Sequence, residues 1–222
     1  ALSLNKIRIL QSPLYRALKD SKVVKRLRKQ HRDGYLSEST ANDTVTPAGT
    51  ADDYKTLRNY YHSLLKLMDM IHYNSSVTKK VYESVFDLPN SCIVVITHSD
   101  IKDNRKVKDY SNDGLRIRYL GPQSGAKGYQ LLKSALDKLW DVQQNFFLDV
   151  HFEPMESAPY IKSHERYSYA ELEKIFDETD VLVAPSIWYE TFGFTVLEAL
   201  SYGVPVIISG NVGAKDILVQ GA

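Results

Sequence analysis

Cysteine is nearly absent from this chain of 222 residues: Cys92 is its single one. An internal disulfide and a cysteine-based zinc site are therefore excluded, which fits a reducing cytosol. The six histidines do not fall at metal-ligand spacings, so no metal site is expected. Net charge is also small. The 28 Lys+Arg against 27 Asp+Glu leave +1, too little for bulk charge to point to nucleic acid. No apolar run approaches the roughly 20 residues that cross a bilayer, and residues 1–6 are too short and broken in hydrophobicity for a signal peptide. What is present is globular: 43% hydrophobic and 25% charged residues exclude a disordered or collagen-like chain. At about 150 residues per domain, the length suits one large domain or one and a half.

Charge is unevenly placed. Residues 1–70 hold 13 basic and 7 acidic side chains, residues 71–222 hold 15 and 20. The basic excess is densest over 19–32, in Lys19, Lys22, Lys25, Arg26, Arg28, Lys29 and Arg32, with Val23, Val24 and Leu27 between them. This is a basic amphipathic helix pattern. It reads either as a solvated face or as a surface for peripheral contact with an anionic membrane.

Residues 34–53, rich in Ser, Thr, Asn, Asp and Gly, read as a loop. A helix follows, with Leu57, Tyr60, Tyr61, Leu64, Leu65 and Leu67 at three-to-four spacing. Met70 to Tyr73 reads as a short strand. Ser76 or Thr78 would cap a helix reaching about Phe86. Cys92-Ile93-Val94-Val95-Ile96 has the continuous apolar character of a strand buried on both faces. Beyond residue 98 strands and helices alternate. Leu115, Ile117 and Tyr119 alternate with Arg116 and Arg118. The next helix carries Leu132, Leu136 and Trp140 on one face, which puts Trp140 in the core. Leu148, Val150 and Phe152 alternate with Asp149 and His151, which turns His151 outward to solvent. Ser168-Tyr169-Ala170-Glu171 is a capping box. Val181 to Ala184 is a strand, residues 194–202 a helix closed by Gly203, residues 204–209 a strand, and a last helix starts at Ala214.

This alternation over 115–219 predicts an α/β fold, a Rossmann-like parallel sheet with flanking helices. Ligands on such sheets sit outside the carboxyl ends of the strands. Three loops fall there: 121–128, 185–193 and 210–213. The first frames Lys127 with small residues but is no Walker A loop, because Ala126 and Gly128 stand where that pattern needs Gly and Ser/Thr. It reads as a tight turn or as an anion cradle with Lys127 beside it. In the second, Glu190-Thr191-Phe192-Gly193-Phe194-Thr195-Val196-Leu197-Glu198 sets two carboxylates eight residues apart around a helix start. They read either as helix-dipole and surface acids or as hydroxyl acceptors on the two sides of a bound phosphate. A nucleotide sugar has that layout, and Lys127 is then the candidate cation.

The string from Asp180 through Pro185-Ser186, Glu190, Phe192-Gly193, Leu197-Glu198-Ala199 and Gly203-Val204-Pro205-Val206 looks like the nucleotide-sugar motif of the retaining GT-B glycosyltransferases of family 4. Gly125-Ala126-Lys127-Gly128 followed by Leu131-Leu132 resembles the segment that opens their C-terminal domain. The resemblance is sharp over 115–219 and weaker over 69–100. It implies an enzyme that moves a sugar from a nucleotide-diphosphate donor to a glycan or lipid-linked acceptor with retention, without metal or other cofactor. Glu190 would contact the donor sugar, Glu198 the ribose, and Lys127 the leaving diphosphate. Gly121 and the backbone of Thr191, Phe192, Gly193, Phe194 and Thr195 would hold sugar and phosphates. Separately, Arg166 precedes the 168–171 capping box in another loop near the strand ends, a position from which it could approach the base. His98, at the expected domain junction, reads either as a satisfied loop histidine or as a residue facing the cleft. The family often carries an arginine just after the first-strand glycine, whereas Gly121 here precedes Pro122-Gln123. The resemblance also implies that 1–97 is the end of an acceptor-side domain and 98–222 a donor-binding domain truncated at its end. The second Rossmann-like domain is thus expected to be only partly represented. Cysteine usage points to the cytoplasm, and the basic segment 19–32 reads either as a solvated face or as a peripheral membrane contact. The alternative is a non-catalytic nucleotide-sugar-binding module or regulatory subunit.

Overall fold

The computed structural model describes residues 49–88, 90–95, 101–108 and 114–219. The basic segment 19–32, most of the expected loop 34–53, Ile96 and His98 lie outside these residues. Helix α1 (Ala51–Leu65) takes the last three residues of that expected loop, because Thr50 and Asp53 form a capping box. The Asp53 amide donates to Thr50 Oγ1 at 3.2 Å, and the Thr50 amide donates to the Asp53 carboxylate at 2.7 Å.

Strand β1 (Ile71–Tyr73), helix α2 (Ser76–Glu83) and strand β2 (Ser91–Ile93) form a parallel two-stranded unit. The cap of α2 is Ser75, one residue before the expected Ser76 or Thr78. Its backbone is extended and its hydroxyl accepts from the Thr78 amide at 3.2 Å. The expectation of a doubly buried strand over 92–96 is not met. The strand ends at Ile93, and Ile93, Val94 and Val95 are exposed. Among the described residues β2 pairs with β1 alone, so its apolar side chains keep contact with solvent.

The second sheet holds β3 (Leu115–Tyr119), β4 (Phe146–Val150), β5 (Ile161–Ser163), β6 (Val181–Ala184) and β7 (Val206–Ile208). All neighbours are parallel, in the order β5-β4-β3-β6-β7. Helix α3 (Tyr129–Trp140) follows β3 and packs Leu132 and Leu136 onto Ile117, Leu148 and Val183. Trp140 lies partly buried against this cluster, edge-on to Phe146 at 5.4 Å. Helices α4 (Leu172–Asp177) and α5 (Phe194–Ser201) build a separate cluster with Leu182, Val204 and Val212. The Ser168–Glu171 box is present, but it opens a 3-10 turn that leads into α4. The expected final helix is likewise a 3-10 turn, Gly213–Ile217.

The period-two reading of β3 and β4 fails at the polar positions. Arg118 is 2% exposed and Asp149 is also buried, because both strands lie inside the sheet with neighbours on each side. Arg118 Nε donates to Thr179 Oγ1 at 3.1 Å, and its guanidinium stands 3.8 Å from the Asp149 carboxylate. His151 is not a solvated surface residue either. Its Nδ1 is 2.8 Å from the Glu165 carbonyl and its Nε2 is 3.3 Å from Arg118. A ring that donates from Nδ1 leaves Nε2 as the acceptor for the guanidinium.

Candidate functional site

Strand order reverses between β3 and β6: the chain builds outward through β4 and β5 and then returns to the other side of β3. The crevice at such a reversal, outside the carboxyl ends of the strands, is where ligands enter open α/β sheets. A cavity of about 190 Å³ lies there, lined by Gly121, Lys127, Ser186, Glu190, Gly193 and Thr195 among others.

Local chemistry explains why the three expected loops converge. Gly128 has φ 76°, a left-handed conformation, and a Cβ there would run into the Pro185 carbonyl. The absent side chain lets the first loop lie directly on the second. The Ala126 carbonyl then accepts from the Ile187 and Trp188 amides at 3.0 and 2.9 Å. The third loop joins through the Glu190 amide, which donates to Asn211 O at 2.9 Å, and the Asn211 side-chain amide, which donates to Ile187 O at 2.8 Å. The backbone of 186–190 is thus pinned from two sides.

Within this frame Lys127 Nζ donates directly to Glu190 Oε1. The side chains are 40% and 20% exposed, so the pair sits at the cavity wall and stays accessible. Ser186, buried, places its hydroxyl 3.0 Å from the same carboxylate oxygen. Beyond Glu190 the chain turns through Gly193 into α5, and Gly193 and Thr195 border the cavity. A helix start leaves its first N–H groups without intrahelical acceptors and carries the positive end of the macrodipole, a combination suited to anions. Tyr119 closes the floor and donates to Pro122 O at 2.8 Å. Burial, with smaller contributions from Tyr129 and Glu190, pushes its hydroxyl well above the usual phenol range, so it remains a neutral donor.

Of the expected site residues, the fold gathers Gly121, Lys127, Glu190, Gly193 and Thr195 on the cavity. Thr191 is exposed, Phe192 is buried as an anchor, and Phe194 lies 5.5 Å from it ring to ring at the start of α5. Glu198 lies further along α5, outside the cavity lining. Its charge, second to burial, raises the Tyr167 hydroxyl. Arg166 is exposed and lines a separate cavity with His151, His164 and Glu165. Ser186 and Tyr119 were not singled out from sequence. Ser186 stands inside the Pro185-Ser186 pair of the recognised string, whereas Tyr119 carries no local signal that separates it from a core tyrosine.

Residues 159–222 match the family model described as glycosyl transferases group 1. The chain is 31% identical over 119 residues to an uncharacterised 41.2 kDa protein of the cps region of Klebsiella pneumoniae, a match covering 51% of this chain and 32% of that one. It is 43% identical over 47 residues to an uncharacterised glycosyltransferase of Methanocaldococcus jannaschii, covering 21% and 12%. The matches thus span a third or less of these relatives. Among solved structures, Anabaena HepE in complex with UDP and glucose superposes with a TM-score of 0.58 at 14% identity, over 76% of this chain and 52% of that one. A sucrose-phosphate synthase from Thermosynechococcus elongatus gives 0.59 at 16%, over 81% and 48%. The lipopolysaccharide outer core galactosyltransferase WaaB gives 0.54 at 20%, over 69% and 46%. The chain therefore has the parallel α/β fold of GT-B glycosyltransferases, and its residues 159–222 match the glycosyl transferases group 1 family.

Proposed function

We propose that this chain is the donor-binding part of a glycosyltransferase that moves a sugar from a nucleoside diphosphate to a glycan or lipid-linked acceptor. The observation that carries the reading is the Lys127–Glu190 pair on the wall of the switch-point cavity, beside the start of α5. A diphosphate entering the cavity competes with the Glu190 carboxylate for the Lys127 ammonium. Once displaced, Glu190 is free to accept hydrogen bonds from donor-sugar hydroxyls, while its Ser186 contact limits how far it swings. Charge develops on the diphosphate as the glycosidic bond breaks, and Lys127 stabilises it there without a metal. We propose retention of configuration, with the acceptor attacking the face the diphosphate leaves and the diphosphate taking its proton. The division near residue 97 into an acceptor-side segment and a donor-binding domain belongs to the same proposal. So does contact of the nucleotide with Glu198 and Arg166.

The test is an assay of sugar transfer and donor hydrolysis with Glu190→Gln and Lys127→Met. Glu190→Gln should keep nucleotide affinity and lose transfer. Lys127→Met should weaken diphosphate binding by about tenfold to a hundredfold, the scale of one charge-assisted contact. Full transfer in Glu190→Gln would refute the site. A second reading, a donor-binding module without transfer, is favoured by Pro122, which lines the cavity where the family's arginine would begin. It predicts tight nucleotide binding with neither transfer nor hydrolysis in the unaltered protein.

A further inference from the structure

The loop that presents Glu190 is tied to a part of the molecule remote in sequence. Ser75, with none of its surface exposed, donates its hydroxyl to the Thr191 carbonyl at 2.6 Å, across 116 positions. The Thr78 hydroxyl lies 3.1 Å from the same carbonyl. One residue on, the Ser76 amide and hydroxyl both donate to the Asp216 carboxylate, each at 2.5 Å. Asp216 lies in the 3-10 turn that follows the third loop. Gly213 sits in this junction, and a Cβ there would strike both Thr191 O and Ser75 Oγ. The start of α2 therefore grips the peptide after Glu190 and the turn behind it at once.

We propose that Ser75 is a positioning residue for the donor loop, acting through the Thr191 carbonyl. Thr191 joins Glu190 to the Phe192-Gly193 turn into α5. Fixing its carbonyl fixes the plane of the Thr191–Phe192 peptide, and so the direction of the Glu190 side chain and of the first turn of α5. Without the tie, Thr191 O keeps only the longer contact from the Thr78 hydroxyl, which also lies 2.8 Å from Asn74 Oδ1, and the loop's anchor on the α2 side loosens. The Ser76–Asp216 contact keeps α2 seated so that Ser75 stays in register. The positioning role stands on this geometry alone, and its consequence for donor binding rests on the function proposed above.

Ser75 also caps α2, so the cap and the tie must be separated. The experiment compares Ser75→Ala with Lys80→Gly, which weakens α2 at an exposed interior position without touching Thr191. Backbone hydrogen exchange is followed at 190–195 in the unliganded protein, with 146–150 as the internal reference, and UDP-glucose affinity is measured beside it. Ser75→Ala should speed exchange at 190–195 by about tenfold or more and weaken UDP-glucose by a similar factor, leaving 146–150 unchanged. Lys80→Gly should speed exchange within α2 alone. Unchanged exchange at 190–195 in Ser75→Ala, or an equal response there in both variants, overturns the proposal. If the unaltered protein does not bind UDP-glucose, the donor reading loses its support, and the exchange comparison still decides the role of Ser75.

Discussion

A single buried guanidinium shows how residue-scale chemistry is set by neighbours. Arg118 is held in the sheet by Thr179, Asp149 and His151, and burial pulls its pKa below that of a free arginine. His151 faces that cation, with His164 at 5.3 Å ring to ring, Tyr167 at 4.8 Å and the Glu165 carbonyl on Nδ1. Burial first, then the Arg118 and His164 charges, outweigh the Glu165 hydrogen bond and the Asp149 charge and hold its pKa below the usual 6.5. The folded state therefore takes up this proton later on acidification than the unfolded chain does. Its contribution to stability is complete above pH 6.5 and is lost as pH falls from there through the lowered folded value. Urea unfolding at about pH 7.5 and about pH 5.5 should show a shallower loss in His151→Asn, which keeps a donor toward Glu165 O and removes the titration. An identical pH slope in both proteins would disprove this account. Asp180 titrates in a lower window. Burial alone would raise it, but the side-chain and backbone hydrogen bonds from Arg116 hold it below 3.8, so its contribution fades only in stronger acid.

At the scale of elements, the site depends on two loops that touch through backbone. Gly128 is the residue on which this contact turns. Gly128→Ala combines a left-handed φ with a collision against the Pro185 carbonyl, and neither partner is a flexible side-chain end. We expect a loss of about 3 kcal/mol or more in denaturant unfolding, at the upper end for single substitutions. The same change should separate Ala126 from Ile187 and Trp188 and so weaken nucleotide binding. A loss below about 1 kcal/mol, the ordinary cost of a left-handed alanine, would show that the loops shift apart without penalty. The strap 101–108 acts on the same scale. Its Asn104 amide donates to Ser201 O at 2.8 Å, and Lys108 Nζ donates to Thr179 O at 2.5 Å. It thereby holds the last carbonyl of α5, which lacks an intrahelical donor, and the turn that follows α4.

For the whole molecule, binding at the crevice is a stability measurement. If the proposed donor site is right, a nucleoside diphosphate at about a hundred times its Kd would add about 2.7 kcal/mol to the folded state. For a domain of this size each kcal/mol moves Tm by about 2–4 °C, so the matching nucleotide should raise Tm by about 5–10 °C. A panel of UDP, GDP and ADP read by thermal unfolding then identifies the base, and a flat response to all three would argue against the donor site. Apolar surface on α1, which has no buried residue, and on Ile93, Val94 and Val95 stays open among the described residues. No helix among them is long and apolar enough to cross a membrane.

The α/β class, most of the element order, the loops at the strand ends and the Lys127–Glu190 neighbourhood were legible in the sequence, whereas the edge strand β5 was not. Each rests on local information: apolar period, turn residues, caps, and a long string of spaced motif residues. The same local logic misread His151 as outward-facing and gave no sign that Arg118 and Asp149 are buried, because burial in a parallel sheet depends on neighbours that alternation does not encode. It read residues 92–96 as a doubly buried strand for the converse reason: apolar side chains are buried only where another layer meets them. The grip of Ser75 on Thr191 had no local sign at all, since a hydrogen bond across 116 positions exists only once two distant turns are brought together. Residue pattern alone was enough for the α/β class and for the approximate places of most strands and helices, because period and turn chemistry are local. Which polar groups are enclosed, where elements begin and stop, and which loop holds which came only with packing, because those outcomes follow from contacts between elements rather than from the residues within one.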